Sequence, residues 1–366
     1  MLLNNVSGSF RLLFLYDVCE EILLGQLRQI LGLHPGGREP AFRHPAPEYV
    51  RFQQPPVLEP LEPVLLDSGQ KLEGRLKYYD YGVVSVEYEF AFKLSWQQLV
   101  AFANRWTTDS EIEKQAAGTV ASHLERVLPA VVKRYDRYLS EDYCIIHVYS
   151  ALQEDGSPIT ASELVGCYGD QIAQLVRGEC APLSKEEKIE ILQSSMSYYP
   201  NDLVVVSWSA AFLYDTREGA ASMIQLLEYA NSQLLEFRHY DELLTRVLTG
   251  VYRLLEKGTG FLRRWRLARE AQRLNTIRLD VRELAERVDN SLKFLSDMFS
   301  ARLYRLAAAK VGVPDYRKLV DEKLHTAGEL YQFMMDQFYQ GRAFVMELMI
   351  VIILIIDLIY LFRGKG

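Results

Sequence analysis

The sequence feature that most constrains the fold is an apolar run near the C-terminus, from Phe344 to Phe362, which reads FVMELMIVIILIIDLIYLF. As a helix it would be about 28 Å long, close to the hydrocarbon thickness of a bilayer. Because its central stretch is apolar on every face and the chain ends four residues later, we expect a membrane span rather than a helix buried in a soluble core. The residues expected to contact lipid are Phe344, Leu348, Ile352, Ile355, Ile359 and Phe362.

Two acids interrupt this span, Glu347 near its start and Asp357 near its end. Both lie about one turn from an end, where a charge costs less than at the bilayer centre. Their faces are about 80° apart around a helix, so they do not converge on one site. We expect these intramembrane acids to pair with neighbouring helices in an oligomer, and ion passage is the alternative.

Bulk properties exclude several classes of function. The formal net charge of -7 gives no general attraction to nucleic acid, which is therefore not an expected partner. The four cysteines lack C-x-x-C spacing and the six histidines are scattered, so we expect no metal, no disulfide and no cofactor. The N-terminus has no basic segment before its first apolar stretch, so we expect no signal peptide and place the body in the cytoplasm.

The body, residues 1–256, begins with a predicted strand, Phe10 to Tyr16, and a predicted helix, Val18 to Leu31. Residues 33–63 carry eight of the 13 prolines and predict an irregular loop. A hairpin follows, with strands Leu72 to Tyr79 and Val83 to Phe92. Helices are predicted after it as far as about residue 138, opening at the capping pairs Ser95 with Gln98 and Thr108 with Glu111.

The same order of elements then recurs. A strand is predicted over Asp142 to Leu152, helices open at the capping pairs Thr160 with Glu163 and Ser184 with Glu187, and a hairpin pairs Met196 to Tyr199 with Leu203 to Tyr214. A long helix begins near residue 215. Adding 120 to each residue number aligns the two hairpins with six identical pairs. This predicts an α+β body of two ferredoxin-like halves, 1–138 and 139–256, and coincidental alternation is the alternative.

Residues 257–340 predict an antiparallel helical hairpin, which we call the stalk. Its first helix runs from Phe261 to Lys310, Gly312 to Pro314 break the chain, and its second helix continues without a break from about Tyr316 to Phe362. Apolar residues recur at seven-residue intervals in the first helix, as in coiled coils. These residues are Leu267, Leu274, Val281, Val288 and Leu295.

Candidate catalytic residues are absent from the patterns of the sequence, which has no phosphate loop, G-x-S-x-G or H-E-x-x-H motif. His147 is expected to be a packing residue of a strand rather than a base. The one concentration of positive charge is RRWRLAR, with Arg263, Arg264, Arg266 and Arg269. It predicts a contact with RNA or anionic headgroups, or else a solvated helix face balanced by nearby acids.

Three features together resemble the required-for-meiotic-nuclear-division family of sporulation-type proteins, which carry a domain of unknown function. They are the β-rich segment NDLVVVSWSAAFLYD, the helical hairpin, and Glu347 leading LMIVIILIID into a terminal span. The resemblance implies a membrane-anchored protein, with a mitochondrial inner-membrane location and support of organellar translation in some members. It implies no catalytic residue.

The function expected from these patterns is that of a non-enzymatic, tail-anchored membrane scaffold or adaptor. Its cytoplasmic α+β body would bind a macromolecular partner, with a protein or a second copy of the chain as the expected partner. The alternative is a regulator or enzyme that binds a small molecule in a pocket between the two halves of the body.

Overall fold

The computed structural model describes residues 5–32, 55–65, 71–107, 110–150, 159–256, 261–290 and 298–363. The described elements form a mixed α+β protein. They fall into two compact units, the first comprising Met1–His239 with Arg287–Tyr316, and the second comprising Tyr240–Glu286 with Arg317–Gly366.

Unit 1 is built on a mixed sheet whose strands are β1 (Asn5–Ile22), β2 (Val57–Pro60), β3 (Val64–Leu65), β4 (Lys71–Tyr78), β5 (Val83–Ser95), β6 (Val131–Tyr149), β7 (Ser195–Met196), β8 (Leu203–Val206) and β9 (Ala210–Asp215). Eight of them lie in the order β2-β4-β5-β1-β6-β9-β8-β7, and β3 pairs with β4. The pair β6 and β9 is parallel, whereas the other described pairs are antiparallel.

Nine helices are described, α1 (Leu24–Ile30), α2 (Trp96–Thr107), α3 (Ser110–Arg126), α4 (Ala161–Arg177), α5 (Lys185–Gln193), α6 (Arg217–Glu256), α7 (Phe261–Asn290), α8 (Met298–Val311) and α9 (Val313–Arg363). Helices α2 to α5 contribute to the main apolar core together with one face of the sheet. That core includes Phe10 and Tyr88 from the strands and Leu99, Val120 and Ile172 from the helices. On the opposite face of the sheet, Lys77 and Asp17 pair with side chains of α6.

The central strand β1 is longer than the predicted one, and the predicted helix Val18 to Leu31 is wrong for residues 18–22, which belong to the strand. Residues Cys19, Glu21 and Ile22 pair with β6 opposite Arg134, Val132 and Val131, so the chain stays extended to Ile22. The helix that follows covers only Leu24–Ile30. Strand pairing with a distant segment therefore overrides the local helical pattern.

The predicted helix reaching residue 138 is also wrong, because α3 ends at Arg126 and a short 3₁₀ turn, Leu128–Ala130, leads into β6. The first half of β6, VVKRYDRYLSED, is exposed or half-buried and lacks the period-two apolar pattern of a strand. Its strand conformation depends instead on its pairing with β1.

The proline-rich segment contains a strand that was not predicted. Residues 33–54 lie outside the described residues, but β2 pairs with β4 at the edge of the sheet, with Pro60 opposite Arg75. An edge strand tolerates proline because one side of its backbone needs no partner.

Several predictions from local signals are confirmed. The β4–β5 hairpin turns at Gly82, whose φ is +95°, and an added Cβ there would lie 1.8 Å from the carbonyl oxygen of Cys19. Ser95 and Gln98 exchange bonds at the start of α2, and Thr160 and Glu163 form a capping box at α4. Thr108 lies outside the described residues.

The predicted second hairpin differs from the observed one. Leu203 to Tyr214 is not one strand but the pair β8 and β9, and β7 contains only Ser195–Met196. Four of the residues aligned by the offset of 120, Val84, Val86, Ala91 and Phe92, lie on the single strand β5, whereas their counterparts are divided between β8 and β9. Because β1 pairs antiparallel with β5 and β6 pairs parallel with β9, the structure does not confirm two ferredoxin-like halves.

Unit 2 contains three helical segments instead of the predicted two. The end of α6 packs with α7 and α9 around a small apolar core that consists of Leu248, Val251, Ala271, Leu274, Ala327 and Met334. Of the predicted first stalk helix, Phe261 to Lys310, the structure describes α7, as far as Asn290, and α8, which begins at Met298 and belongs to unit 1. Residues 291–297, which include Leu295 of the seven-residue repeat, lie outside the described residues. The second helix is continuous from Val313 to Arg363, as predicted.

Candidate functional site

The C-terminal half of α9 is apolar and unburied. Among the described residues, α9 is the one helix long and apolar enough to cross a membrane, and none of its most apolar 18-residue window is buried. The predicted lipid-contacting residues Leu348, Ile352, Ile355 and Ile359 are 46–52% exposed. Phe344 and Phe362 belong to the same helix, and nothing is described of their side chains.

Glu347 and Asp357 lie on the same helix and are both exposed. The structure brings neither of them together with another described element. The arginines of the basic stretch all lie on α7. Arg269 is exposed, and of Arg263, Arg264 and Arg266 only the position along the helix is described.

The structure also contains a buried ionic cluster that no sequence pattern indicates. Glu87 on β5 is fully buried, and it accepts hydrogen bonds from Arg11 Nη1 at 2.5 Å and from Arg75 Nε at 2.9 Å. Arg11 also donates to Glu89 Oε1 at 2.7 Å. Cross-strand neighbours explain the geometry, because Arg75 lies opposite Glu87 in the β4–β5 register.

Lys77 on β4 extends this cluster to α6. Its Nζ lies 2.8 Å from Glu87 Oε2 and also pairs with Glu228, a fully buried residue of α6. Burial by itself would raise the pKa of Glu87, but the charges of Lys77, Arg75 and Arg11 hold that pKa well below its usual range. Burial would lower the pKa of Lys77, but Glu228 and Glu87 raise it.

Further polar bonds join α6 to its surroundings. Tyr81 and Ser232 are hydrogen-bonded at 2.6 Å, and Tyr304 of α8 donates to Gln233. Asp17 Oδ2 of β1 lies 2.7 Å from His239 Nδ1. Burial raises the pKa of Asp17 well above its usual value.

This polar face is difficult to recognise from sequence. In α6 the residues Gln225, Glu228, Ser232, Glu236 and His239 recur every three or four positions, a spacing that normally marks the solvent side of an amphipathic helix. Here the same spacing marks the side that meets the sheet. One feature does indicate that this polar face is buried. The residues on the other faces of 220–237 are apolar and buried as well, so this part of α6 has no face left for solvent.

The ionic cluster has no surplus charge for chemistry, since its three bases, Arg11, Arg75 and Lys77, are matched by its three acids, Glu87, Glu89 and Glu228. Its groups hold α6 against the sheet. Over the described ranges, no group of three or more His, Cys, Asp or Glu side chains is placed to hold a metal ion.

His147 is a packing residue. It is 1% exposed, its Nε2 lies 3.1 Å from the carbonyl oxygen of Asp215, and burial lowers its pKa to about 4. It is therefore neutral near pH 7.

Comparison with known proteins identifies the fold family. The model of the family described as the N-terminal domain of uncharacterized protein MJ0711 matches residues 7–221, which is more than half of the chain. The chain belongs to this family. The MJ0711 match includes every strand of unit 1 except the first two residues of β1, and it ends in the first turns of α6. Five members of the ionic cluster, Arg11, Arg75, Lys77, Glu87 and Glu89, lie inside it, and Glu228 lies beyond it.

A relative in this family is uncharacterized protein MJ0711 of Methanocaldococcus jannaschii, which is 21% identical over 188 residues, or 51% of this chain and 58% of the relative. The match thus spans less than two thirds of the relative's length. No solved structure matches the chain. These comparisons support a domain of unknown function. They bear on neither meiosis, sporulation nor membrane attachment, so those implications of the resemblance stay predictions, as does a small-molecule pocket between the halves.

Proposed function

We propose that the protein is a membrane-anchored scaffold or adaptor without catalytic activity. The C-terminal half of α9 forms its single span, and unit 1 binds a macromolecular partner on the cytoplasmic side. The observation that carries this proposal is the exposure of the apolar C-terminal half of α9, where every described Ile, Leu, Val and Met from 346 to 361 is exposed.

The physical argument concerns the cost of this exposure in water. A Leu or Ile side chain gains about 1.5–3 kcal/mol when it is transferred from water to an apolar environment. A run of more than ten such residues on all sides of one helix is therefore stable only in lipid or under a protein cover. The length of the run matches the bilayer.

Unit 1 has a surface suited to a protein partner. Tyr198 is 51% exposed and Met298 is 71% exposed, and the Tyr198 and Phe299 rings lie 5.3 Å apart in an edge-to-face arrangement. Trp208, in the turn between β8 and β9, is 65% exposed. Exposed aromatic and methionine side chains are enriched at protein interfaces.

The experiment that tests the anchor is carbonate extraction of three chains expressed in cells. They are the full chain, a truncation that ends at Tyr339, and a matched control in which residues 344–362 are replaced by a leucine helix of equal length. We expect the full chain and the leucine control to stay in the membrane pellet and the truncation to be released. Release of the full chain would overturn the anchor.

The partner is tested by crosslinking from the membrane fraction. The double substitution Tyr198→Ser and Met298→Ser should reduce the recovered partner relative to Leu58→Ser, a control at another apolar residue of unit 1, which is 47% exposed. Equal recovery from both variants would contradict a partner surface at Tyr198.

A further inference from the structure

The direction of the helices in unit 2 determines which residues lie beside the start of the span. The end of α6 runs in the same direction as α9. Lys323 Nζ of α9 lies 2.5 Å from Asp241 Oδ1 and 2.5 Å from Thr245 Oγ1 of α6. Further toward the C-terminal end of both helices, Val251 of α6 shares the apolar core with Met334 of α9.

Helix α7 runs back in the opposite direction. Only residues 257–260 separate it from α6, and two helices joined by so short a connection lie antiparallel. Ala271 and Leu274 of α7 share the same apolar core. Arg278 Nη1 lies 2.6 Å from the point that a Cβ on Gly328 would occupy, so position 278 of α7 lies beside position 328 of α9.

This register places the basic stretch at the level where the span begins. From Gly328 to Phe344 the rise along α9 is about 24 Å, and from Arg278 back to Arg263 the rise along α7 is about 22 Å. Arg263 is therefore within a few ångströms of the start of the span along the helix axis, and Arg269 lies about 10 Å before it. The headgroup layer of a bilayer is about 5–8 Å thick on each side.

Two segments at this level carry charge of one sign. Residues 263–269 of α7 read RRWRLAR and residues 337–343 of α9 read QFYQGRA, which together contain five arginines and no acid. The end of α6 reaches the same level and adds one acid, Glu256, so the net charge there stays positive. In both segments acids begin again at the next residue, Glu270 and Asp336. Glu270 pairs with Arg273 at 3.9 Å, whereas Arg269, just above the headgroup layer, is exposed.

Aromatic residues of the same layer favour a membrane surface. Trp265 lies between the arginines, and Tyr339 of α9 is 57% exposed. Trp and Tyr concentrate at the level of the headgroups, where an amphipathic ring is stable. RNA binding would explain the arginines but gives no reason for their alignment with the start of an apolar helix.

We infer that the segment Arg263–Arg269 binds the phosphate-bearing headgroups of anionic lipids at the surface of the bilayer that α9 enters. This inference deepens the proposed function and rests on it. The span holds the chain in any bilayer, and the arginines make it prefer an anionic one. Near such a surface each arginine increases association by about fivefold.

The test is hydrogen exchange of the full chain in nanodiscs of neutral phosphatidylcholine and in nanodiscs with about 30% phosphatidylserine. Exchange in residues 261–270 should be about tenfold slower with phosphatidylserine, and high salt should remove the difference. Exchange in residues 344–362 reports insertion and should be slow in both. The variant with Gln at positions 263, 264, 266 and 269 should lose the difference and still insert.

A matched variant removes four positive charges elsewhere in unit 2, through Arg246→Gln, Arg282→Gln, Arg317→Gln and Lys318→Gln, and it should keep the lipid-dependent difference. If residues 344–362 are slow in both nanodiscs while 261–270 ignore lipid charge, this inference fails and the anchor stands. If residues 344–362 exchange fast in both, the anchor fails and the inference with it. If single-stranded RNA protects 261–270 and phosphatidylserine does not, the segment is an RNA contact and the lipid assignment is overturned.

Discussion

Lys77 and Glu228, 151 residues apart in the chain, form a buried ion pair that joins the outer part of the sheet to α6. Lys77 also pairs with Glu87, and the charge of Glu87 is further balanced by Arg75 and Arg11. Helix α6 is thus held against the sheet by specific charges as well as by apolar packing. Few alternative packings of α6 on the sheet are stable, because a shift of the helix by one residue would leave buried charges without partners.

Breaking this pair should be costly. Glu228→Ala leaves the Lys77 ammonium with one buried partner fewer, and we expect unit 1 to lose about 3 kcal/mol of stability. Lys77→Met combined with Glu228→Leu should recover most of that loss, because it removes both charges. Thermal unfolding of the full chain in detergent measures the effect. The exposed pair Lys114 with Glu111 is the control, and Glu111→Gln should change the stability by less than about 0.5 kcal/mol.

Glu87 should make unit 1 sensitive to acid. Its pKa in the folded protein lies well below the ordinary 4.5, so the unfolded chain takes up its proton first as the pH falls. The stabilisation is fully present above pH 4.5 and decreases as the pH falls below that value. The variant Glu87→Gln should be less stable than the wild type at pH 7, and the difference should shrink in acid. A difference independent of pH would contradict this assignment.

Asp17 should act in the opposite direction. Burial raises its folded pKa above the ordinary 3.8, so the folded protein holds the proton more tightly and loses stability as the pH rises above 3.8. Asp17→Asn should therefore flatten this part of the stability profile. Unfolding midpoints between pH 4 and pH 8 check the sign, and a steeper fall in the variant would show that the His239 partner dominates instead.

Gly82 should not tolerate a side chain. Gly82→Ala places a Cβ 1.8 Å from the Cys19 carbonyl oxygen at a φ of +95°, so the β4–β5 turn must shift, and we expect a loss of more than about 2 kcal/mol. Gly118 in α3 has no atom within 4 Å of an added Cβ. Gly118→Ala should instead stabilise the protein by up to about 1 kcal/mol. Measuring the unfolding stability of both variants under the same conditions tests these two predictions.

The apolar core of unit 2 can be tested with two leucines of α7, one buried and one exposed. Leu274 is fully buried, whereas Leu279 on the same helix is 52% exposed. We expect Leu274→Ala to lower the stability of unit 2 by about 2–4 kcal/mol and Leu279→Ala to change it by less than about 0.5 kcal/mol. Hydrogen exchange in residues 244–251 and 324–334 reports the opening of this core. Similar protection in both variants would contradict the three-helix packing.

Features that depend on neighbouring residues can be predicted from the amino-acid sequence. Gly82 after Asp80 and Tyr81 predicts the β4–β5 turn, the Thr160–Glu163 capping box starts α4, and the apolar run of α9 continues a helix through Gly341. In each case the decisive interaction joins residues within about four positions or follows from composition alone.

Features whose partners are distant in the chain depend on long-range contacts and could not be predicted. The strand character of residues 131–138 comes from pairing with β1 more than 100 residues earlier, and their own charged pattern does not show it. The polar residues of α6 face the sheet because Lys77, Tyr81 and Asp17 offer partners there. A helical spacing of polar residues shows that they share a face, but only the folded chain shows whether that face meets water or buried charges of opposite sign.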